Sequence, residues 1–210
     1  DNCILATGSI SSGSVVISGG EENIISNHNG SATIGGGEKN TIKDGAKGSI
    51  IGGGYGNCIS GSVFGTIGGG FENQILLPLP NCTQDSLFDG IQGGDIIAGG
   101  SCNKIFIISQ SLFAKPGGNT IAGGAFNTLQ NQLFSYVHGF CNKIEARPVI
   151  GIGNPNLNVV NQILGGSRNY VCGSRSVDIV GGQCNQIIGE DDVQTAQTNI
   201  RSTIIGGRIN

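Results

Sequence analysis

What the chain lacks narrows it first. Trp and Met are absent, and aromatic residues make up 5% and charged residues 12% of the 210 positions. With 39 glycines, that composition alone would suggest disorder. A net charge of -3 supplies no basic footprint, which argues against a nucleic-acid partner. The longest apolar run, Ile75 to Leu79, is far short of the ~20 residues of a membrane span, so the chain is not expected to be membrane-embedded. Seven cysteines include no C-x-x-C pair, which argues against zinc. No signal peptide and no initiator Met open the chain, and it starts and stops in mid-phrase, as a processed product or a piece of something longer would.

What is present is one phrase, I-x-G-G-x-x-N-x-I, repeated along the whole length. Its anchors are Asn23, Asn40, Asn57, Asn73, Asn103, Asn127, Asn142, Asn169, Asn185 and Asn210. Gly-Gly stands at the fourth and third positions before each anchor except Asn142, which has His138-Gly139. Six before the anchor come Ile17, Ile34, Ile51, Ile67, Ile97, Ile121, Ile163, Ile179 and Ile204, with Tyr136 the exception. Two after it the residue is aliphatic wherever the chain continues, and Asn2 with Ile4 forms an eleventh, half copy. Self-similarity at a fixed period decides architecture before local propensity does. The expected fold is all-β: a parallel β-solenoid, a flattened β-roll of about 11 coils of 15–17 residues, with residues 1–210 forming a single repeat domain.

The spacing fits two short strands and two turns per coil. Side chains alternate across a strand, so Ile34, Gly36, Asn40 and Ile42 are expected to point inward, with Thr41 and Lys43 outward. Glycine at the corner permits positive φ and close approach between coils. The Asn column is expected to form an amide ladder, each side-chain oxygen accepting from the next side-chain N–H. Asn is also expected to adopt the left-handed geometry that completes the turn. Longer gaps hold loop insertions at 76–94, 106–118 and 188–202, all at one corner and so on one side, and a degenerate coil at 150–159. The cysteines read as buried free thiols.

Several chemistries have no residues to carry them. The calcium-binding nonapeptide roll needs an Asp in every repeat, where this chain has neutral Asn. A polysaccharide-cleaving β-helix needs clustered carboxylates, but the 14 acidic residues are dispersed. Thr33, Thr66, Thr120 and Thr203 share a position, yet Ile50, Ile96, Gln162 and Asp178 interrupt the array that an ice-binding face requires. Asn29 and Asn81 open possible glycosylation sequons. The chain is therefore expected to be non-enzymatic, with no catalytic residue, metal or cofactor.

The phrase from Thr33 to Ile42, repeated at Ser49 to Ile59 and Thr66 to Ile75, resembles the head repeats of trimeric autotransporter adhesins and, more closely, the GGxxN-type repeats of phage and large-virus fibre proteins. The resemblance implies a β-roll, side-by-side association of three chains and a surface that binds host matrix. Two readings follow. The first is a structural protein building an extracellular, cell-surface or virion-surface fibre by self-association. The second is an adhesin or receptor-binding head recognising host glycan or protein through the insertion face. In the first, coils stack end to end: Asn2, Cys3 and Ile4 form a second strand, while Ile204, Ile205 and Asn210 belong to a first strand and its corner, so the 203–210 segment of one subunit would pair with the 2–5 segment of the next.

Overall fold

The computed structural model of the chain describes residues 1–5, 13–26, 30–77, 94–106, 118–130, 135–138, 143–145, 161–163, 167, 169–172, 177–181, 183, 185–188 and 202–205. Among them there is no helix. The strands, in chain order, are β1 (Cys3–Leu5), β2 (Val15–Ile17), β3 (Ile24–Ser26), β4 (Ala32–Ile34), β5 (Thr41–Lys43), β6 (Ser49–Ile51) and β7 (Cys58–Ser60). They continue as β8 (Thr66–Ile67), β9 (Gln74–Leu76), β10 (Ile96–Ile97), β11 (Lys104–Phe106), β12 (Thr120–Ile121), β13 (Thr128–Gln130) and β14 (Ser135–Val137). The last are β15 (Lys143–Glu145), β16 (Asn161–Ile163), β17 (Tyr170–Cys172), β18 (Val177–Ile179), β19 (Gln186–Ile188) and β20 (Ser202–Ile204).

Odd-numbered strands form one ten-stranded sheet and even-numbered strands another, each strand pairing in parallel with the one two further along. This is a parallel β-solenoid. Parallel pairing of identical phrases brings like residues into register one strand spacing, about 4.8 Å, apart. Ile34, Ile51, Ile67, Ile97 and Ile121 are thus aligned in the even sheet. Ile25, Ile42, Ile59, Ile75, Ile105 and Leu129 are aligned in the odd sheet. All eleven side chains are fully buried in one cluster between the sheets. Strands of two or three residues suffice because each inward aliphatic side chain packs on its equivalent above and below. Fully burying one such side chain contributes about 1.5–3 kcal/mol.

Ile17 is aligned with Ile34 but only half-buried, because β2 is an edge strand, with no described strand on its outer side. Register places Ile163, Ile179 and Ile204 in the same column. Tyr136 departs from the repeat. The residue aligned with Ile121 is Val137, five before Asn142, while Tyr136 stands outward in line with Thr120. Sliding the strand by one residue would bury the tyrosine and expose the valine, so the hydrophobic pattern sets the register and the corner loses a residue.

The insertions leave pairing intact. Strands β9 and β11 pair directly, Ile75 against Ile105, across the first insertion. The strand boundaries put all three insertions between an odd strand and the next even one. Residues 78–93, 107–117 and 189–201 themselves lie outside the described residues. So do residues 150–159, and the strands before and after them pair directly, Ser135 with Asn161 and Lys143 with Tyr170.

The corner differs from the expected simple turn. A third parallel ladder, one residue wide, joins Glu21, Glu38, Tyr55, Phe71, Ser101 and Ala125. The left-handed residue at the corner is not Asn but the one before it: Glu22, Lys39, Glu72, Cys102 and Phe126 have φ between 52° and 58°, and Gly56 fills the place in one coil. The Asn must aim its amide inward, so the chain reverses one residue earlier. The glycine demanded by close approach is Gly37 rather than Gly36. Its φ is 86°, and a Cβ there would overlap the Gly54 carbonyl oxygen, whereas a Cβ at Gly36 would meet only Gly19 O, at 4.0 Å.

Replacing Ile51 by Asp places a charge among stacked aliphatics with no partner. The expected outcome, read by circular dichroism and thermal melting, is loss of the cooperative β-sheet transition; a wild-type melting curve would contradict the inward assignment.

Candidate functional site

The most organised polar feature is the Asn column inside the corner. Asn23, Asn40, Asn57, Asn73, Asn103, Asn127 and Asn169 are fully buried and Asn185 nearly so. A buried amide must find partners or destabilise the fold by a few kcal/mol. Here the rungs from Asn23 to Asn103 repeat the same bonds. The Oδ1 of Asn40 accepts both the backbone N–H of Asn57 and its Nδ2, each at 3.0 Å. The Nδ2 of Asn57 also donates to Gly53 O in its own coil at 2.9 Å and to Gly70 O in the next at 3.1 Å. An amide nitrogen carries two hydrogens, so three acceptors share them.

The pattern runs from Asn2, whose Oδ1 accepts from the backbone and side-chain nitrogens of Asn23, both at 3.1 Å. It crosses the first long insertion unchanged, with Asn103 N at 3.1 Å and Nδ2 at 3.0 Å from Asn73 Oδ1. It continues to Asn127. Between Asn169 and Asn185 the sense reverses: Asn169 Nδ2 donates to Asn185 Oδ1 at 2.6 Å. Asn142 and Asn210 lie outside the described residues, as do Asn29 and Asn81.

A second polar column, not anticipated from the repeat, lies on the inner face of the even sheet, two residues before the Ile. Its register runs Ala32, Ser49, Gly65, Asp95, Asn119 and Ser135. These positions vary from coil to coil, so no period announces them. At Gly65 the space a side chain would fill is taken by Ser62. Asp95 is fully buried, and its Oδ1 accepts from Asn119 N at 3.1 Å and Nδ2 at 2.9 Å. Its Oδ2 and the nearby Ser62 Oγ make no aligned hydrogen bond. Burial pushes the Asp95 carboxyl above its ordinary range, while bonds from Asn119 and the proximity of Ser62 pull the other way.

At the ends, Asn2 is the outermost rung, Cys3 is half-buried in line with Ile24, and Ile4 stands 51% exposed in line with Ile25. Ile205 is 78% exposed. Cys3, Cys58 and Cys102 are free thiols, half-buried rather than buried. Among the described residues, no three His, Cys, Asp or Glu side chains converge as a metal site would require. Among those residues, too, no helix is long and apolar enough to cross a membrane. Comparison of the chain with protein-family models, curated proteins and solved structures finds no match.

Two outcomes are expected from these columns. Asn57→Ala removes the donor to the Gly53 carbonyl and the acceptor of the Asn73 backbone N–H, while Gly70 O keeps Tyr55 N and Asn73 Nδ2 keeps Gly69 O and Gly100 O. It should destabilise the fold by about 2–3 kcal/mol in denaturant titration, and a change within about 0.5 kcal/mol would deny the ladder its role. Asp95 has a folded pKa above its unfolded one, so its destabilising contribution is absent below the unfolded pKa and grows as pH rises towards the folded one. Asp95→Asn should raise the melting temperature at pH 8 and change it little at pH 4. An equal effect at both would mean that titration of this carboxyl is not involved.

Proposed function

We propose that the chain is a non-enzymatic structural repeat protein that contributes a rigid rod to an extracellular or virion-surface fibre by end-to-end stacking of coils. The observation that carries this reading is the outer face of the first coil. Strands β1 and β2 are the edges of both sheets. Among the described residues no strand pairs with their outer sides, where Ile4, Leu5 and Val16 are 51%, 53% and 43% exposed. A sheet edge of this kind is a template for another strand. The ladder offers a polar register mark beside it, the Asn2 amide. A further coil of the same phrase, from a second copy or from a continuation of the same chain, fits both features. Contact between unlike ends does not close on itself and so propagates as a filament. The likeness of the Thr33–Ile42 phrase to fibre and adhesin-head repeats supports the same reading.

Electron microscopy and sedimentation of the purified chain test it. Axial filaments are expected, and Ile4→Lys, which puts a charge on the edge, should abolish them while leaving the circular dichroism unchanged. A chain that remains monomeric at high concentration, or filaments indifferent to Ile4→Lys, would overturn it.

A further inference from the structure

The corner ladder carries a feature that neither the core nor end stacking uses. Tyr55 and Phe71, one coil apart, stack with ring centroids 5.2 Å apart and planes 7° from parallel. One face of the Tyr55 ring is covered by the Lys39 ammonium, 5.1 Å from the centroid. That ammonium also donates to Tyr55 Oη at 3.3 Å and to Glu38 Oε1 at 2.8 Å. The stack is therefore closed below by a held cation. Above, it stops. The ladder continues in register from Phe71 to Ser101 and then Ala125, side chains too small to reach over the phenyl ring. Phe71 is 45% exposed. The result is a shelf two coils tall, with the phenyl face at its base and the Ser101 hydroxyl and Ala125 methyl along its wall. Ser101 Oγ donates to Cys102 Sγ at 3.5 Å, and that thiol donates to the exposed Glu72 carboxylate at 3.9 Å, which puts the hydroxyl and the carboxylate on one edge of the shelf.

We propose that this shelf binds the apolar face of a neutral pyranose sugar. An aromatic face is electron-rich and attracts the polarised C–H bonds that a pyranose presents on one side. The thickness of a sugar ring stacked on a phenyl is close to one coil spacing, about 4.8 Å, so a pyranose takes the place the next aromatic would have had. Its equatorial hydroxyls then meet the Ser101 hydroxyl and the Glu72 carboxylate, the small number of polar groups beside an aromatic wall that orient a ligand. Charge selects against anions. Glu21, Glu22, Glu38 and Glu72 line this corner, and Lys39 is engaged by Glu38, by Glu22 at 3.9 Å and by the Tyr55 ring. Sialylated or sulfated glycans and nucleotides are accordingly disfavoured.

The inference rests on the corner alone and stands apart from filament formation. Saturation-transfer NMR on the full chain, with an array of neutral methyl pyranosides and neutral oligosaccharides and with sialyllactose as the anionic comparison, tests it. Transfer to one face of at least one neutral pyranose is expected, with none to sialyllactose. Phe71→Ala should weaken binding at least tenfold. Ser101→Tyr should do the same while keeping the fold, because it extends the Tyr55–Phe71 stack and fills the shelf. Absence of transfer across the neutral array, preference for the sialylated sugar, or binding unchanged in Ser101→Tyr would each overturn the proposal. So would a change in sedimentation, without sugar binding, on Ser101→Tyr, which would give the shelf to a second copy of the chain.

Discussion

The structure depends on one interaction repeated from Asn2 to Asn127: an Asn side-chain oxygen that accepts two N–H groups from the Asn of the following coil. Backbone pairing between parallel strands does not by itself choose a register, since slipping one residue exchanges equivalent bonds. The buried aliphatic face chooses it along each strand, and the amide chooses it at the corner. The amide ties each coil's backbone to the side chain of its neighbour, as Asn57 is tied to Asn40 and Asn73 to Asn57, and it binds glycine carbonyls on both sides. Once these bonds are made, the Ile columns on both sheets can align only with themselves.

That division of labour explains how so little side-chain volume makes a fold. The aliphatic columns supply burial, the amide column joins them in fixing register, and the glycine at the corner lets coils approach to one strand spacing. Sequence length between rungs is then almost irrelevant. The 30 residues between Asn73 and Asn103 and the 16 between Asn57 and Asn73 end in the same hydrogen bonds. Loop closure costs grow only slowly with length, so a register held by buried groups tolerates long excursions on its surface.

The parts legible in the sequence were those that repeat with fixed chemistry: the Ile and Asn columns, the two-strand coil and the common corner of the insertions. Four features were hidden, each for a physical reason. The left-handed residue is Glu, Lys, Cys or Phe in different coils, because a corner held by its neighbours absorbs a cost that propensity would forbid. The inner column through Ser49, Asp95 and Asn119 has no consensus, since its residues answer to local space, as Ser62 does by filling in at Gly65. The swap of Tyr136 for Val137 was masked by counting back from Asn142, although burial of the valine is the stronger signal. The corner ladder that stacks Tyr55 on Phe71 was equally invisible, because its residues share a place and not a type.

The claim that the amide ladder sets the fold is tested most directly by native-state hydrogen exchange of the ladder's own backbone N–H groups. Those of Asn40, Asn57, Asn73 and Asn103 donate to side-chain oxygens at 3.0–3.1 Å inside the structure. The account predicts that they exchange only through global unfolding, with protection equal to that of the core strand amides. Exchange through local opening, with protection well below that of the strands, would show that the ladder is a consequence of the stacked sheets and not what holds them in register.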